Sequence, residues 1–220
     1  MILITGASSG LGAALAKIYS QEMPVCISGR NPQRLKAVAT SVDGEINTHA
    51  CDLTDEQSVV SLFDSLVHTP STIIHCAGSG YFGPIEQQSP SAIKDLLNNN
   101  VTSAIMLLRE AVKRYKSKPV TVVMVMSTAA QLAKAEESTY CASKWAVRGL
   151  VESVRLELKG QPMKLIAVYP GGMATPFWNT SGKSLNTDSF MSAEEAATML
   201  KQALSATEHG YVSDITINRS

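Results

Sequence analysis

Short apolar runs of β-forming residues alternate along this chain with longer stretches of helical period, and that alternation admits few folds. A strand that is apolar along its whole length needs cover on both faces, which a parallel sheet flanked by helices supplies. Seven runs read as strands: Ile2 to Thr5, Pro24 to Ser28, Glu45 to Cys51, Thr72 to Cys76, Val120 to Met126, Lys164 to Tyr169 and Tyr211 to Ile217. Helix-start signals stand between them, with Asn31 before Pro32, Thr54 in capping-box spacing with Gln57, Ser89 before Pro90, and Ser192 in the same spacing with Glu195. No repeat, low-complexity tract or linker divides the chain. The expectation is one α/β domain over residues 1–220, a doubly wound parallel sheet of about seven strands with helices on both faces.

Charge and cysteine use narrow the function. Nineteen basic and nineteen acidic residues cancel without forming blocks, which disfavours nucleic acid and anionic membranes as partners and favours small neutral molecules. Cys26, Cys51, Cys76 and Cys141 form no C-x-x-C pair and have no histidine cluster beside them, so neither a metal site nor a disulfide framework is expected. The first three lie in or at the end of apolar runs and read as small buried hydrophobes, with Cys76 kept in view. Of the four histidines only His75 falls near the expected cleft. The opening Met-Ile-Leu-Ile-Thr-Gly has no basic leader, and no apolar run approaches the roughly 18 residues of a membrane helix, so a soluble cytoplasmic protein is expected.

The first chemical signal is Thr-Gly-Ala-Ser-Ser-Gly-Leu-Gly at residues 5–12, between the opening strand and an apolar helix from Leu11 to Tyr19. Glycines at a strand-to-helix turn let backbone N–H groups approach a pyrophosphate, and the helix N-terminus adds partial positive charge. A bare structural turn is the alternative. The second signal is Tyr140 with Lys144, spaced i and i+4 so that phenol and ammonium share a helix face. A neighbouring ammonium is expected to lower the phenol pKa, unless the two form a solvated surface pair. Asn100 lies on the apolar stripe Leu96, Leu97, Val101, Ala104, Ile105, Leu108, Ala111, Val112 of a helix read from Ile93 to Tyr115. A buried amide left unbonded costs about 1 to 3 kcal/mol, so it should hold a water, a backbone group or a lysine relay, or else satisfy a helix kink. Ser127 ends the fifth strand at the sheet's carboxyl edge, where ligands bind in open α/β folds. No G-x-S-x-G elbow surrounds it, which disfavours serine nucleophile chemistry. Ser138 and Ser143 read as helix-start and packing residues.

Taken together these stretches resemble the short-chain dehydrogenase/reductase family, non-extended type, over nearly the whole chain. The resemblance implies a single-domain Rossmann-like fold and a catalytic set of Asn100, Ser127, Tyr140 and Lys144. Further matches are Asp52-Leu53 after the third strand, Ala77-Gly78 after the fourth, and Pro170-Gly171-Gly172-Met173-Ala174-Thr175 after the sixth. It implies cofactor contacts at Gly6, Ser8, Ser9, Gly10, Leu11, Gly12, Arg30, Asp52, Leu53, Ala77, Gly78, Tyr140, Lys144, Pro170, Gly171 and Thr175. The reaction implied is hydride transfer between a nicotinamide and a carbonyl or alcohol substrate, with Tyr140 as proton donor and Ser127 orienting the carbonyl. Lys144 would tune the phenol and hold the ribose, and Asn100 would hold a water. Homodimers or homotetramers built on the helices after Ser89 and Ser138 are also implied.

Two departures from the family pattern stand out. His75-Cys76 replaces the usual Asn-Asn, and the segment between Thr175 and Ser192 is short, from which a more open cleft follows, lined or anchored by Phe177 and Trp178. Where NAD enzymes carry a ribose-binding carboxylate this chain has Gly29, followed by Arg30, which suits the 2′-phosphate of NADP(H). A cofactor-binding regulator without turnover is the alternative; such relatives commonly lose the tyrosine or lysine, and this chain has both. A sugar-nucleotide epimerase would need a larger C-terminal region than follows Thr175.

Overall fold

The opening apolar run becomes the centre of the sheet. β1 (Ile2–Thr5), buried along its length, pairs in parallel with β2 (Val25–Gly29) on one side and β4 (Thr72–His75) on the other. Outside these lie β3 (Ile46–Ala50) next to β2, and β5 (Thr121–Val125), β6 (Lys164–Pro170) and β9 (Asp214–Ile217) beyond β4. The order is β3-β2-β1-β4-β5-β6-β9 in the computed structural model, which describes residues 1–183, 185–205 and 209–219. Every pairing in this seven-stranded sheet is parallel. The chain winds outward from β1 to β3 and then returns to β4 beside β1, so a crevice opens at the carboxyl ends of these two strands.

Side chains alternate between two cores. Leu3, Cys26, Ile73 and Val122 face the layer of α3 (Glu56–Asp64), α5 (Ser103–Tyr115) and α6 (Ser138–Glu157). Ile4, Ile27, Ile74 and Val123 face α1 (Gly10–Tyr19), α2 (Pro32–Ala39) and α7 (Ala193–Ala203). The architecture is the expected Rossmann-like one, and the differences are local. The last strand begins at Asp214 rather than Tyr211, because β9 reaches β6 only from Ala167 onward and Tyr211 and Val212 stay exposed. β3, an edge strand, is mostly exposed rather than a continuous apolar run. A short parallel pair, β7 (Met173–Ala174) with β8 (Met191–Ser192), closes the segment after β6.

Three of the four helix starts fall where read, and one is displaced by a residue. Asn31 accepts from the Arg34 N–H at 2.9 Å with Pro32 in the first turn, and Ser192 with Glu195 forms a capping box. Thr54 instead donates to Asp52, and Asp55 caps α3 by accepting from the Ser58 N–H at 2.7 Å. Ser89 precedes Pro90 as expected but pairs with the Ser91 hydroxyl and caps nothing. The helix expected from Ile93 to Tyr115 is α4 (Pro90–Leu97) and α5 joined by a π-turn, Asn98–Thr102, in which the Ser103 N–H reaches back five residues to the Asn98 carbonyl. That extra residue shifts the phase of the apolar stripe, leaving Leu97 and Ile105 exposed while Leu96, Asn100, Ala104 and Leu108 are buried.

Candidate active site

The crevice at the carboxyl ends of β1 and β4 is a cavity of about 420 Å³, within the range of ligand sites. Its walls include Gly6, Ser8, Ser9, Gly10, Leu11, Gly12, Arg30, Asp52, Leu53, Ala77, Gly78, Ser127, Tyr140, Lys144, Pro170, Gly171 and Thr175. Of the catalytic and cofactor-binding residues expected from the sequence, Asn100 alone is outside this lining.

At one end, the glycine turn forms a cradle that side chains would fill. Gly6 has φ of 68°, a left-handed conformation, and a Cβ there would lie 2.4 Å from the Ala77 nitrogen. A Cβ on Gly12 would lie 2.6 Å from the Gly6 carbonyl oxygen. The first turn of α1 opens onto this cradle, and the Ser9 side chain makes no capping bond to it, so its N–H groups suit the phosphates of a dinucleotide. Beyond the turn, Arg30 donates to the Asn99 side-chain oxygen at 3.1 Å, with Gly29 and Arg34 beside it in the wall. The Thr54 N–H and hydroxyl hold the Asp52 carboxyl below its ordinary pKa, with the Arg30 charge adding to the effect. The residues present therefore fit a dinucleotide.

At the other end, Tyr140 and Lys144 sit on α6 as the spacing anticipates, and both are buried, at 6% and 5% exposure. The expected lowering of the phenol does not occur in this cavity. Burial pushes the Tyr140 pKa well above its usual value, against which the Ser127 hydroxyl pulls the other way. The Lys144 Nζ lies 5.6 Å from the phenol ring centroid, over the ring, and burial pushes its own pKa down to about 8. An ammonium so placed and so weakened has little hold on the phenol proton. Ser127 accepts from the Ala129 N–H at 3.1 Å, and its hydroxyl is bonded to the Tyr140 phenol.

Asn100 sits in the π-turn and is satisfied by protein, holding the Ser79 backbone, one of the partners read for it. Its Oδ1 accepts from the Ser79 N–H at 2.7 Å, and its Nδ2 donates to the Ser79 carbonyl at 2.9 Å and to the Ser143 hydroxyl at 3.0 Å. Ser143, fully buried, donates to the Tyr140 carbonyl at 2.7 Å. Asn100 thus ties the segment after β4 to the backbone of Tyr140. A methyl group on Gly78 would sit 3.1 Å from Asn100 Oδ1 and 3.2 Å from Lys144 Nζ, so those two groups flank one small space.

The family model for short chain dehydrogenases matches residues 1–186. The chain belongs to the short-chain dehydrogenase/reductase family. A short-chain dehydrogenase/reductase from Vibrio parahaemolyticus is 56% identical, with each chain covered over 100% of its length and a TM-score of 0.93. An alcohol dehydrogenase from Thermococcus sibiricus, solved with 5-hydroxy-NADP, shares the fold at 20% identity and a TM-score of 0.89, over 98% of this chain and 94% of that one. The 3-ketodihydrosphingosine reductase of Yarrowia lipolytica is 27% identical over 201 residues, 83% of this chain and 54% of that protein. The chain spans about half the length of the first curated relatives it matches, 54% and 44%.

Within this short-chain dehydrogenase/reductase several site features escape sequence reasoning. Ser143 reads as packing, although it links Asn100 to Tyr140. Arg34 gives no signal apart from lying four residues after Arg30, the spacing of one helical turn. Phe177 and Trp178 line the cavity, as one of the two readings had it. The short segment after Thr175 coils into a 3-10 turn, Pro176–Thr180, and sets Phe177 against Tyr140, with ring centroids 5.9 Å apart. His75 is buried in the sheet, with Nδ1 2.9 Å from the Thr5 hydroxyl and Nε2 without a hydrogen-bond partner, and burial pushes its pKa down to about 3. Cys26, Cys51 and Cys141 are buried, whereas Cys76 is half-buried in the cavity wall.

Proposed function

We propose that this chain is an NADP(H)-dependent reductase of a ketone or aldehyde, working in a single dinucleotide-binding domain. The observation that carries the proposal is the buried phenol of Tyr140 beside the Ser127 hydroxyl, in the same cavity as the glycine cradle. When bound, a nicotinamide supplies or accepts the hydride at its C4. Tyr140 gives its proton to the carbonyl oxygen as charge develops there, and Ser127 donates a hydrogen bond to the same oxygen. A phenol is protonated at neutral pH, the form that donates in the direction of reduction. Lys144 holds the ribose, and a water between Lys144 and Asn100 under Gly78 replaces the proton. Asp52 and Leu53 border the adenine, and Pro170, Gly171 and Thr175 the carboxamide.

Preference for NADP(H) rests on Gly29, which brings no carboxylate, and on the guanidinium groups of Arg30 and Arg34 in the same wall. Tyr140→Phe should lower kcat by about 10² to 10⁴ while the NADPH dissociation constant, read by fluorescence titration, changes less than about threefold. A Tyr140→Phe variant as active as the wild type would overturn the assignment. The competing reading, a nucleotide-binding regulator, would show as NADPH binding without turnover of any carbonyl in a broad panel.

A further inference from the structure

Around the phenol of Tyr140 the cavity wall is aromatic. The Phe82 ring meets Tyr140 edge-on at 5.2 Å, Phe177 stands 5.9 Å from it, and Trp178 lies 5.7 Å from Phe82 and 5.3 Å from Phe177. All four side chains border the same cavity. The wall is held in place from outside. Trp178 Nε1 donates to the Met173 carbonyl at 2.8 Å, the Phe82 N–H to the Ser181 carbonyl at 2.8 Å, and the Gly83 N–H to the Glu136 carbonyl at 2.7 Å. Gly80 provides the seat for Phe177, since a Cβ there would come within 2.5 Å of the Phe177 Cζ.

A carbonyl oxygen that reaches the Tyr140 and Ser127 hydroxyls must lay its carbon skeleton among these rings. Rings offer no partner for a polyhydroxylated chain, and burying unpaired hydroxyls is costly. A carboxylate would fare worse. Arg30 and Arg34 belong to the far end of the cavity, Lys134 is exposed and bonded to Thr128 at 3.3 Å, Lys144 is committed to the ribose in the proposed function, and the Glu137 carboxylate stands in the same wall. A flat π-system is the shape that can take offset or edge-on places beside Phe82, Phe177 and Trp178. We propose that Phe82, Phe177 and Trp178 are the specificity-determining wall of the carbonyl site and that its substrate is an uncharged aryl ketone or aldehyde. The proposal rests on the reductase reading. The aryl ketone becomes its secondary alcohol as NADPH becomes NADP⁺, hydride joining the carbonyl carbon and the Tyr140 proton its oxygen.

The test measures initial rates of the full chain with NADPH on acetophenone, cyclohexyl methyl ketone, a straight-chain methyl ketone of equal carbon number, and acetophenone carrying a para carboxylate. Acetophenone should exceed the cyclohexyl ketone in kcat/KM by about tenfold, the equivalent of one or two aromatic contacts, with the carboxylate lowest. Phe177→Leu combined with Trp178→Leu should remove that advantage, bringing the ratio of kcat/KM for the aryl over the cyclohexyl ketone down to about one. A reading independent of turnover, and of whether the double variant folds, comes from Trp178 fluorescence in the Trp145→Phe background. With NADPH present, phenylethanol should quench it at a concentration about tenfold lower than cyclohexylethanol. Equal rates on the aryl and cyclohexyl ketones, or a preferred carboxylate, would overturn the aromatic wall and leave the reductase standing. No turnover of any carbonyl despite tight NADPH binding would remove both.

Discussion

Lys144 carries a cost that its position makes measurable. Its folded-state pKa, about 8, lies below the ordinary 10.5, so between these values the unfolded chain holds a proton on this amine that the folded chain does not. Stability from this residue therefore rises with pH across that window, and the full burial penalty applies below it. Lys144→Met, which keeps the volume and removes the charge, should be more stable than the wild type at pH 7 by about 3 kcal/mol at most. The gap should close as pH approaches 10.5, and urea unfolding at both ends of the window checks it. A variant less stable at pH 7 would mean that the ammonium is a structural asset. At this scale Tyr140, Lys144 and Ser127 were legible because spacing and strand ends are properties of the sequence. The direction of the phenol's pKa was not, because burial, invisible in the i, i+4 pattern, outweighs an ammonium that sits over the ring.

Two turns divide the reading of a dinucleotide. In the proposed function the turn between β1 and α1 would meet phosphates through backbone, so Gly12→Ala, whose Cβ would press on the Gly6 carbonyl at 2.6 Å, should weaken NADPH and NADH alike. The turn between β2 and α2 would meet the 2′-phosphate through Arg30. The wild type should bind NADPH at least about tenfold tighter than NADH, and Arg30→Ala should erase the difference without changing NADH affinity. Equal affinities in the wild type would refute the NADP(H) assignment. Elements were most legible where burial was complete. β1 was read to the residue and β5 to within one at each end, since neither can be anything but a covered strand. Legibility failed where two groups compete for one role. Thr54 and Asp55 are both good caps, and Asp52 takes the threonine. Tyr211 and Val212 have the composition of a strand but no neighbour to pair with, and the π-turn leaves no mark in a stripe that assumes constant period.

The whole molecule presents apolar side chains on neighbouring helices: Leu97 on α4, Ile105 on α5 and Trp145 on α6 are 40–46% exposed. We propose that these helices pair two copies of the chain, whereas Leu107, Val147, Val151 and Val154 on the same helices are buried in the core. Light scattering should give the mass of two or four chains at micromolar concentration, and Ile105→Glu with Trp145→Glu should reduce it to one. A wild-type monomer would end the idea. The crevice between β1 and β4 has another consequence. Groups suited to the nucleotide's adenine half come from the windings around β1, β2 and β3, and those suited to the carbonyl from the windings around β4, β5 and β6. The two sets sit on separate stretches of chain. A lineage could therefore trade its coenzyme by editing a few codons after β2, or its substrate by editing those around residues 80 and 177, without renegotiating the other choice.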